Sequence, residues 1–258
     1  MPQAFFALTD GRFVPAPHAR SWWVPSMTHG RLLGGLLART LEAEQPGPGM
    51  RFARLTVDLF RSAPLAPLEI STTRIRDGHR IRVCEATVHA GDAVYAKATA
   101  VQLRESEQPP DPAPATPAWD APRPGTLPPH RAGATPERWH LDGRRTWVRE
   151  TCELVENEPL SPFVRAALAA DTASPLAHAG EQQLEFINAD YSLYLSRLPE
   201  GEYVGLASGG HSSADGVAVG HCTLHDSRGP IGYCMTAAIA NPGVRPNTRP
   251  QTRSGAGQ

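Results

Sequence analysis

One carboxylate interrupts an apolar, aromatic strand pattern. In EFINADYSLYLSRLPEGE, Glu185 to Glu202, Asp190 lies between Ala189 and Tyr191. Its apolar neighbours Phe186, Ile187, Tyr191, Leu193 and Leu195 limit solvent and would raise its pKa toward that of a general base. Strand periodicity sets it on the face of Asn188 and Ser192, opposite Tyr191 and Leu193. The competing reading is a capped or ion-paired carboxylate at a strand start. A second polar group occupies GGHSSADG, Gly209 to Gly216. There Ser212 or Ser213 could hold a water or a carbonyl, and His211 could serve as an alternative base. A covalent triad of Ser212, His211 and Asp190 fits poorly. Adjacent strand residues point to opposite faces, and no G-x-S-x-G elbow occurs.

A third group sits in WWVPSMTHGRLLGG. Backbone N–H groups at a helix start, around His29, Gly30 and Arg31, are natural donors to a developing oxyanion, and Gly30 permits close approach. His29 could itself bond a carbonyl, or stand in ordinary polar contact. Trp22 and Trp23 read as a wall beside a ligand or as core.

The elements must bring these groups together. The chain has 258 residues, 40% of them hydrophobic, enough for one large domain or two small ones. A formal charge of -1 and a pI near 6.8 give no field toward nucleic acid or an anionic membrane. The opening MPQAFFALTDGRF lacks a signal-peptide pattern, and no apolar run is long enough for a bilayer, so a cytoplasmic protein is expected. Cys84, Cys152, Cys222 and Cys234 have no metal-like spacing and read as buried thiols. Without a P-loop, dinucleotide fingerprint or metal cluster, neither a cofactor nor a metal is expected.

The proline-rich run EQPPDPAPATPAWDAPRPGTLPP separates two comparable halves. The expected division is residues 1–106, a linker over 107–140, and 141–258 with a disordered tail from about 243. Each half reads as a helix followed by antiparallel strands, an α+β order. In the first half the helix SMTHGRLLGGLLARTLEAE, with Ser26 or Thr28 as cap, precedes RFARLTVDLFR, EISTTRIRD, HRIRVCEATVHA and AVYAKATAVQLR. In the second, TWVRETCELVE precedes the short helix SPFVRAALAAD, with Ser161 and Pro162 at its start. LEFINADYSLYLSRL, EYVGLASGG, GVAVGHCTLHD and GPIGYCMTAAIA follow as strands. ATVHAGDAVYAKATA lines up with CTLHDSRGPIGYCMTA after one extra turn residue, and VDLFRSAP with LYLSRLP, keeping the arginine. The halves thus read as copies of one unit, strands curled around an apolar helix.

That element order, with HGRLLGGLLART, ENEPLSPFVRAALAAD and FINADYSLYLSRLPEGEYVGL, resembles the TesB-like acyl-CoA thioesterase family, tandem hot-dog domains in one chain. The resemblance covers almost everything outside the linker and implies a double hot-dog. It also implies hydrolysis of an acyl-CoA thioester by water held among an aspartate, a Ser or Thr and a glutamine. Asp190 matches the aspartate and Ser212 or Ser213 the hydroxyl. The glutamine's place falls among Met235, Thr236 and Ala237, so Thr236 is left as a hydroxyl donor. Arg31 replaces the second glycine of the helix start. Met27 and Leu33 would border an acyl tunnel, and Arg61, Arg197 and Arg31 could meet CoA phosphates. The alternatives are a hot-dog scaffold turned to dehydration, isomerisation or cyclisation of a specialised metabolite, and a catalytically dead binding protein. A monomer and a homodimer of double units both stay open.

Overall fold

The structure is a computed structural model that describes residues 4–111, 113–124, 126, 128–130, 134–180 and 183–241; the expected disordered tail lies outside them. The opening hairpin, β1 (Phe6–Thr9) and β2 (Arg12–Pro15), turns at Asp10 and Gly11, where φ is 50° and 75°. Asp-Gly is among the pairs that adopt such a turn most readily. Helix α1 (Gly30–Glu44) buries Leu32, Leu33, Leu36, Leu37 and Leu41. Its cap is neither Ser26 nor Thr28 but His29, whose Nδ1 accepts the Arg31 N–H at 3.2 Å. Thr28 instead turns inward and donates to the Pro64 carbonyl at 2.8 Å.

Four strands follow: β3 (Met50–Leu59), β4 (Glu69–Asp77), β5 (Ile81–Ala90) and β6 (Ala93–Arg104). The second half opens with β7 (Glu137–Asp142) and β8 (Arg145–Arg149). Helix α2 (Pro162–Ala170) starts where Ser161 Oγ accepts the Val164 N–H at 3.1 Å. Then come α3 (Ala173–His178), β9 (Phe186–Asn188), β10 (Asp190–Leu195), β11 (Tyr203–Ala214), β12 (Val217–Asp226) and β13 (Gly229–Ala240). Sequence periodicity missed β7, which is short and follows the proline run. It also missed α3, ASPLAH, in which Pro175 is tolerated because it lies in the first helical turn.

Strands β3 to β13 form one 11-stranded antiparallel sheet, ordered β4-β5-β6-β3-β10-β13-β12-β11-β8-β7, with β9 also on β13. The set β3–β6 and the set β10–β13 have the same internal order, and they join through their first strands, β3 and β10. Arg61 and Arg197 are 136 residues apart, as are His89 and His225. The β3–β10 register follows that offset: Thr56 faces Ser192, and the pair Asp58–Asp190 is mirrored by Tyr194–Arg54. A local two-fold axis therefore passes between Thr56 and Ser192, whose hydroxyl oxygens lie 3.0 Å apart. The register also shifts at Val88/His89 on β5 and at Leu224/His225 on β12, the two T-x-H sites.

The α-helices α1, α2 and α3 cover one face of the sheet, an α+β, hot-dog-like arrangement. Two glycines let α1 and α2 approach. A Cβ on Gly34 would fall 2.1 Å from the Tyr191 hydroxyl, and one on Gly35 would fall 2.5 Å from Leu168. The Tyr191 hydroxyl, between the helices, donates to the Ala167 carbonyl at 3.1 Å. All four cysteines are buried and free. Among the described residues, no helix is long and apolar enough to cross a membrane.

Candidate functional site

Asp190 owes its position to an irregularity of the ladder. Asn188 pairs with Ala238 and Ser192 with Met235, so Ala189 and Asp190 together face Ala237. One extra residue on one strand is a β-bulge, which leaves a ladder group unpaired and re-aims a side chain. Ala189 N–H donates to the Ala237 carbonyl at 2.9 Å. The return donor, Ala237 N–H, is taken by Asp190 Oδ1 at 2.6 Å. Thr236 Oγ1 donates to the Asp190 carbonyl at 3.0 Å, so its hydroxyl holds the strand. Oδ2 of Asp190 accepts no hydrogen bond from the described residues. The bulge also splits the face expected from alternation: Asn188 turns to the helix side and bonds Asp171 at 3.2 Å, while Asp190 stays with Ser192.

Sequence reasoning missed the neighbour of this carboxylate. Asp58 on β3 stands directly opposite Asp190. Burial, and then the charge of Asp190, push the Asp58 carboxyl above the ordinary aspartate range, against the pull of Lys97. Two carboxyls on directly opposed positions repel when both are ionised, so the proton on Asp58 is held more tightly than in a lone aspartate.

Ser212 is not part of this cluster. It pairs with Val219, which pairs with Ala237, so it shares the side of Asp190. Three strand spacings separate them, about 14 Å. Ser213 faces the helix side, where His211 Nε2 lies 3.0 Å from its hydroxyl. His211 Nδ1 in turn lies 2.8 Å from Nδ1 of His178, the last residue of α3. His178 is only 4% exposed, and its ring and that of His211 pack within 5.9 and 5.7 Å of Phe186. The polar residues expected around one water therefore form separate clusters. No signal in the sequence pointed to His178, because α3 itself was not legible.

The start of α1 approaches the Asp190 end of the sheet. A Cβ on Gly30 would lie 3.5 Å from Leu59, whose N–H bonds the Ala189 carbonyl at 2.8 Å. Of the three amides expected as donors, that of His29 bonds the Ala19 carbonyl and that of Arg31 bonds His29 Nδ1. The Gly30 amide has no partner among the described residues. Burial, reinforced by Arg31 and Arg138, holds the His29 imidazole well below its usual pKa, hence neutral. Since Nδ1 accepts, its proton is on Nε2, which makes Nε2 a donor. Trp22 packs edge-on against His29, with centroids 4.8 Å apart, and Arg138 lies 5.0 Å over Trp22. Trp23 and Met27 are half-buried in the same loop, Met27 bridging to Pro64.

Other expected contacts are engaged elsewhere. Arg31 is buried, ion-paired with Glu150 and 4.9 Å over the Phe5 ring, so its charge serves the interior. Arg197 is paired with Asp226, Arg61 lies 5.9 Å over Tyr95, and Leu33 is core. A cleft of about 200 Å³ opens at the far end of α1, beside Arg39, Glu42 and Ser161.

The sequence matches the model of the acyl-CoA thioesterase N-terminal domain over residues 19–103 and that of the acyl-CoA thioesterase C-terminal domain over residues 99–239. No curated protein matches it. Among solved structures, it is similar to a conserved protein with a hot dog fold from Alicyclobacillus acidocaldarius. That match has 15% identity and a TM-score of 0.68 and covers 91% of this chain and 94% of the other. A tesB protein of Mycobacterium avium subspecies paratuberculosis matches at 15% identity and a TM-score of 0.60, with the same coverage of 91% and 94%. An acyl-CoA thioesterase II of Mycobacterium marinum matches at 18% identity and a TM-score of 0.54, over 82% of this chain and 90% of the other.

Proposed function

This chain belongs to the acyl-CoA thioesterase family, and we propose that it hydrolyses an acyl thioester, carried on CoA or on a carrier, with Asp190 as general base. The observation that carries the reading is the half-bonded carboxylate. Oδ1 of Asp190 is fixed by the Ala237 amide, which leaves Oδ2 to draw a proton from an attacking water. As the thioester carbonyl becomes tetrahedral, its oxygen gains charge. This reading requires the carbonyl to extend to the start of α1, where the Gly30 amide and the Nε2–H of neutral His29 would receive that charge. Collapse expels the thiolate, which takes up the proton that Asp190 drew from the water and so restores the carboxylate. Trp22, Trp23 and Met27 would wall the entry beside His29. Where the resemblance expects a glutamine, among Met235, Thr236 and Ala237, no carboxamide stands, so the Asp190 carboxylate must orient the water.

The scaffold in this reading is a tandem double hot-dog, divided by the linker over 107–140, with its halves joined at β3 and β10. The shared strand order and the common 136-residue offset support it. The exposed apolar outer face, with Val219, Met235 and Ile239, suits an acyl chain or a second copy of the chain.

A second reading rests on Asp58. An acid and a base face to face could instead dehydrate or isomerise a bound metabolite on the same scaffold. Free-thiol release from a panel of acyl-CoA thioesters decides between them. Hydrolysis is expected for at least one chain length, with a loss of about 100-fold or more in Asp190→Asn. Unchanged release in Asp190→Asn would refute the role of Asp190, and no release from any thioester would favour the second reading.

A further inference from the structure

We propose that Ser213, His211 and His178 form a second catalytic centre, in which Ser213 Oγ takes an acyl group from an activated ester or thioester. It lies on the helix side of the sheet under α3 and is independent of the chemistry at Asp190. Three observations carry it. Ser213 and His211 are two apart on β11 and so share a face, with Oγ to Nε2 at 3.0 Å. The other nitrogen of His211 meets His178 Nδ1 at 2.8 Å. A nucleophile, a base and a group that orients the base therefore follow one another through the ring nitrogens such a relay requires. Finally, Nε2 of His178 is buried without a partner among the described residues, and a buried polar group left so calls for a reason.

The local sequence makes room for this contact. His211 pairs with Gly220, where a Cβ would fall 2.8 Å from His178 Cε1, so only glycine lets the buried imidazole reach His211. Ser213 pairs with Ala218, and Ala218 with Ala238, which leaves a floor of small residues bordered by Phe186. His211 and Ser213 are exposed, so an acyl donor can reach them. Burial pushes the His178 pKa down to about 4, which keeps that ring neutral and its Nδ1 lone pair ready to accept.

The proton inventory closes. With His178 protonated on Nε2, its Nδ1 accepts the His211 Nδ1–H, and His211 Nε2 is free to accept from Ser213. Oγ attacks the acyl carbonyl carbon and its proton passes to Nε2. The leaving thiol or alcohol departs with that proton, and an ester remains on Ser213. Water, deprotonated by the same nitrogen, then releases the acid and restores the serine. His178 acts through His211 and is a positioning residue.

A fluorophosphonate probe with intact-mass detection and peptide mapping tests the centre. A single adduct on Ser213 is expected, absent in Ser213→Ala. Labelling should slow about 100-fold in His211→Ala. In His178→Phe, which preserves the buried ring, the maximal labelling rate should fall while half-saturation by the probe stays unchanged. Thermal melts of each variant establish folding. Should His178→Phe not fold, His178→Gln gives the same readout. Asp190→Asn retains the Ser213 adduct, which separates this centre from thioester hydrolysis at Asp190. No adduct in the parent, or an adduct that survives Ser213→Ala, would overturn the proposal.

Discussion

Asp58 and Asp190 place like charges on directly opposed positions of two strands, an arrangement that costs about 0.2–1 kcal/mol. The sign of its pH dependence follows from the raised Asp58 carboxyl. A carboxyl that holds its proton more tightly in the folded state adds stability below the ordinary aspartate range and loses it as pH rises through its folded value. Asp58→Asn should therefore stabilise the protein by about 0.2–1 kcal/mol near pH 7, and the gain should vanish toward pH 4. Melting curves at both pH values check this; a gain equal at both would mean that the two carboxyls do not interact. Asp190 was legible because a lone acid among aromatic residues stands out. Asp58 was not, since in TVDLF it is one more polar residue in an alternating strand, and only the register shows what it opposes. The bulge at Ala189 was equally hidden, because nothing in INADYS marks an extra residue.

Two glycines of α1 matter through what faces them. Gly34 is the point where Tyr191 enters between α1 and α2. Gly34→Ala would drive a methyl into a rigid ring, and such overpacking costs about 1–3 kcal/mol. Denaturant unfolding should report that loss. In a Tyr191→Phe background the penalty should shrink, because the nearest atom, the hydroxyl, is gone. Additive effects of the two substitutions would show that the contact is not shared. The leucine stripe of α1, the start of α2 at Ser161 and the strands of both halves were readable from period and turn residues. The cap of α1 was not. Capping preference names Ser26 and Thr28, but Thr28 is taken by Pro64, and the chain reaches its helix one residue later, at His29.

The halves are bound by the β3–β10 ladder, by packing of α1 on α2 and by the buried pair Arg31–Glu150, whose rupture would leave a stranded charge. The linker adds Trp119, stacked on His225 at 4.5 Å and edge-on to Trp147. A protease site placed between Gln108 and Pro109 should therefore give two fragments that still co-elute at the parent mass and separate only in denaturant. Separation in native buffer would mean that the covalent linker, not the shared sheet, holds the halves together. The likeness of ATVHAGDAVYAKATA to CTLHDSRGPIGYCMTA was readable in the sequence. Which strands would meet was not, because pairing depends on edges left open once each half has folded.

Thr56 and Ser192 mark the spot where an assembly of identical subunits would set a residue against its own copy. In the tandem double hot-dog proposed above, joining both units in one polypeptide lifts that constraint everywhere else. Where one half carries Asp190 opposite Asp58, the other carries Arg54 opposite Tyr194. The chain can thus evolve an unequal pair of loci, one acidic and one basic, a division of labour that a homodimer of single units cannot encode.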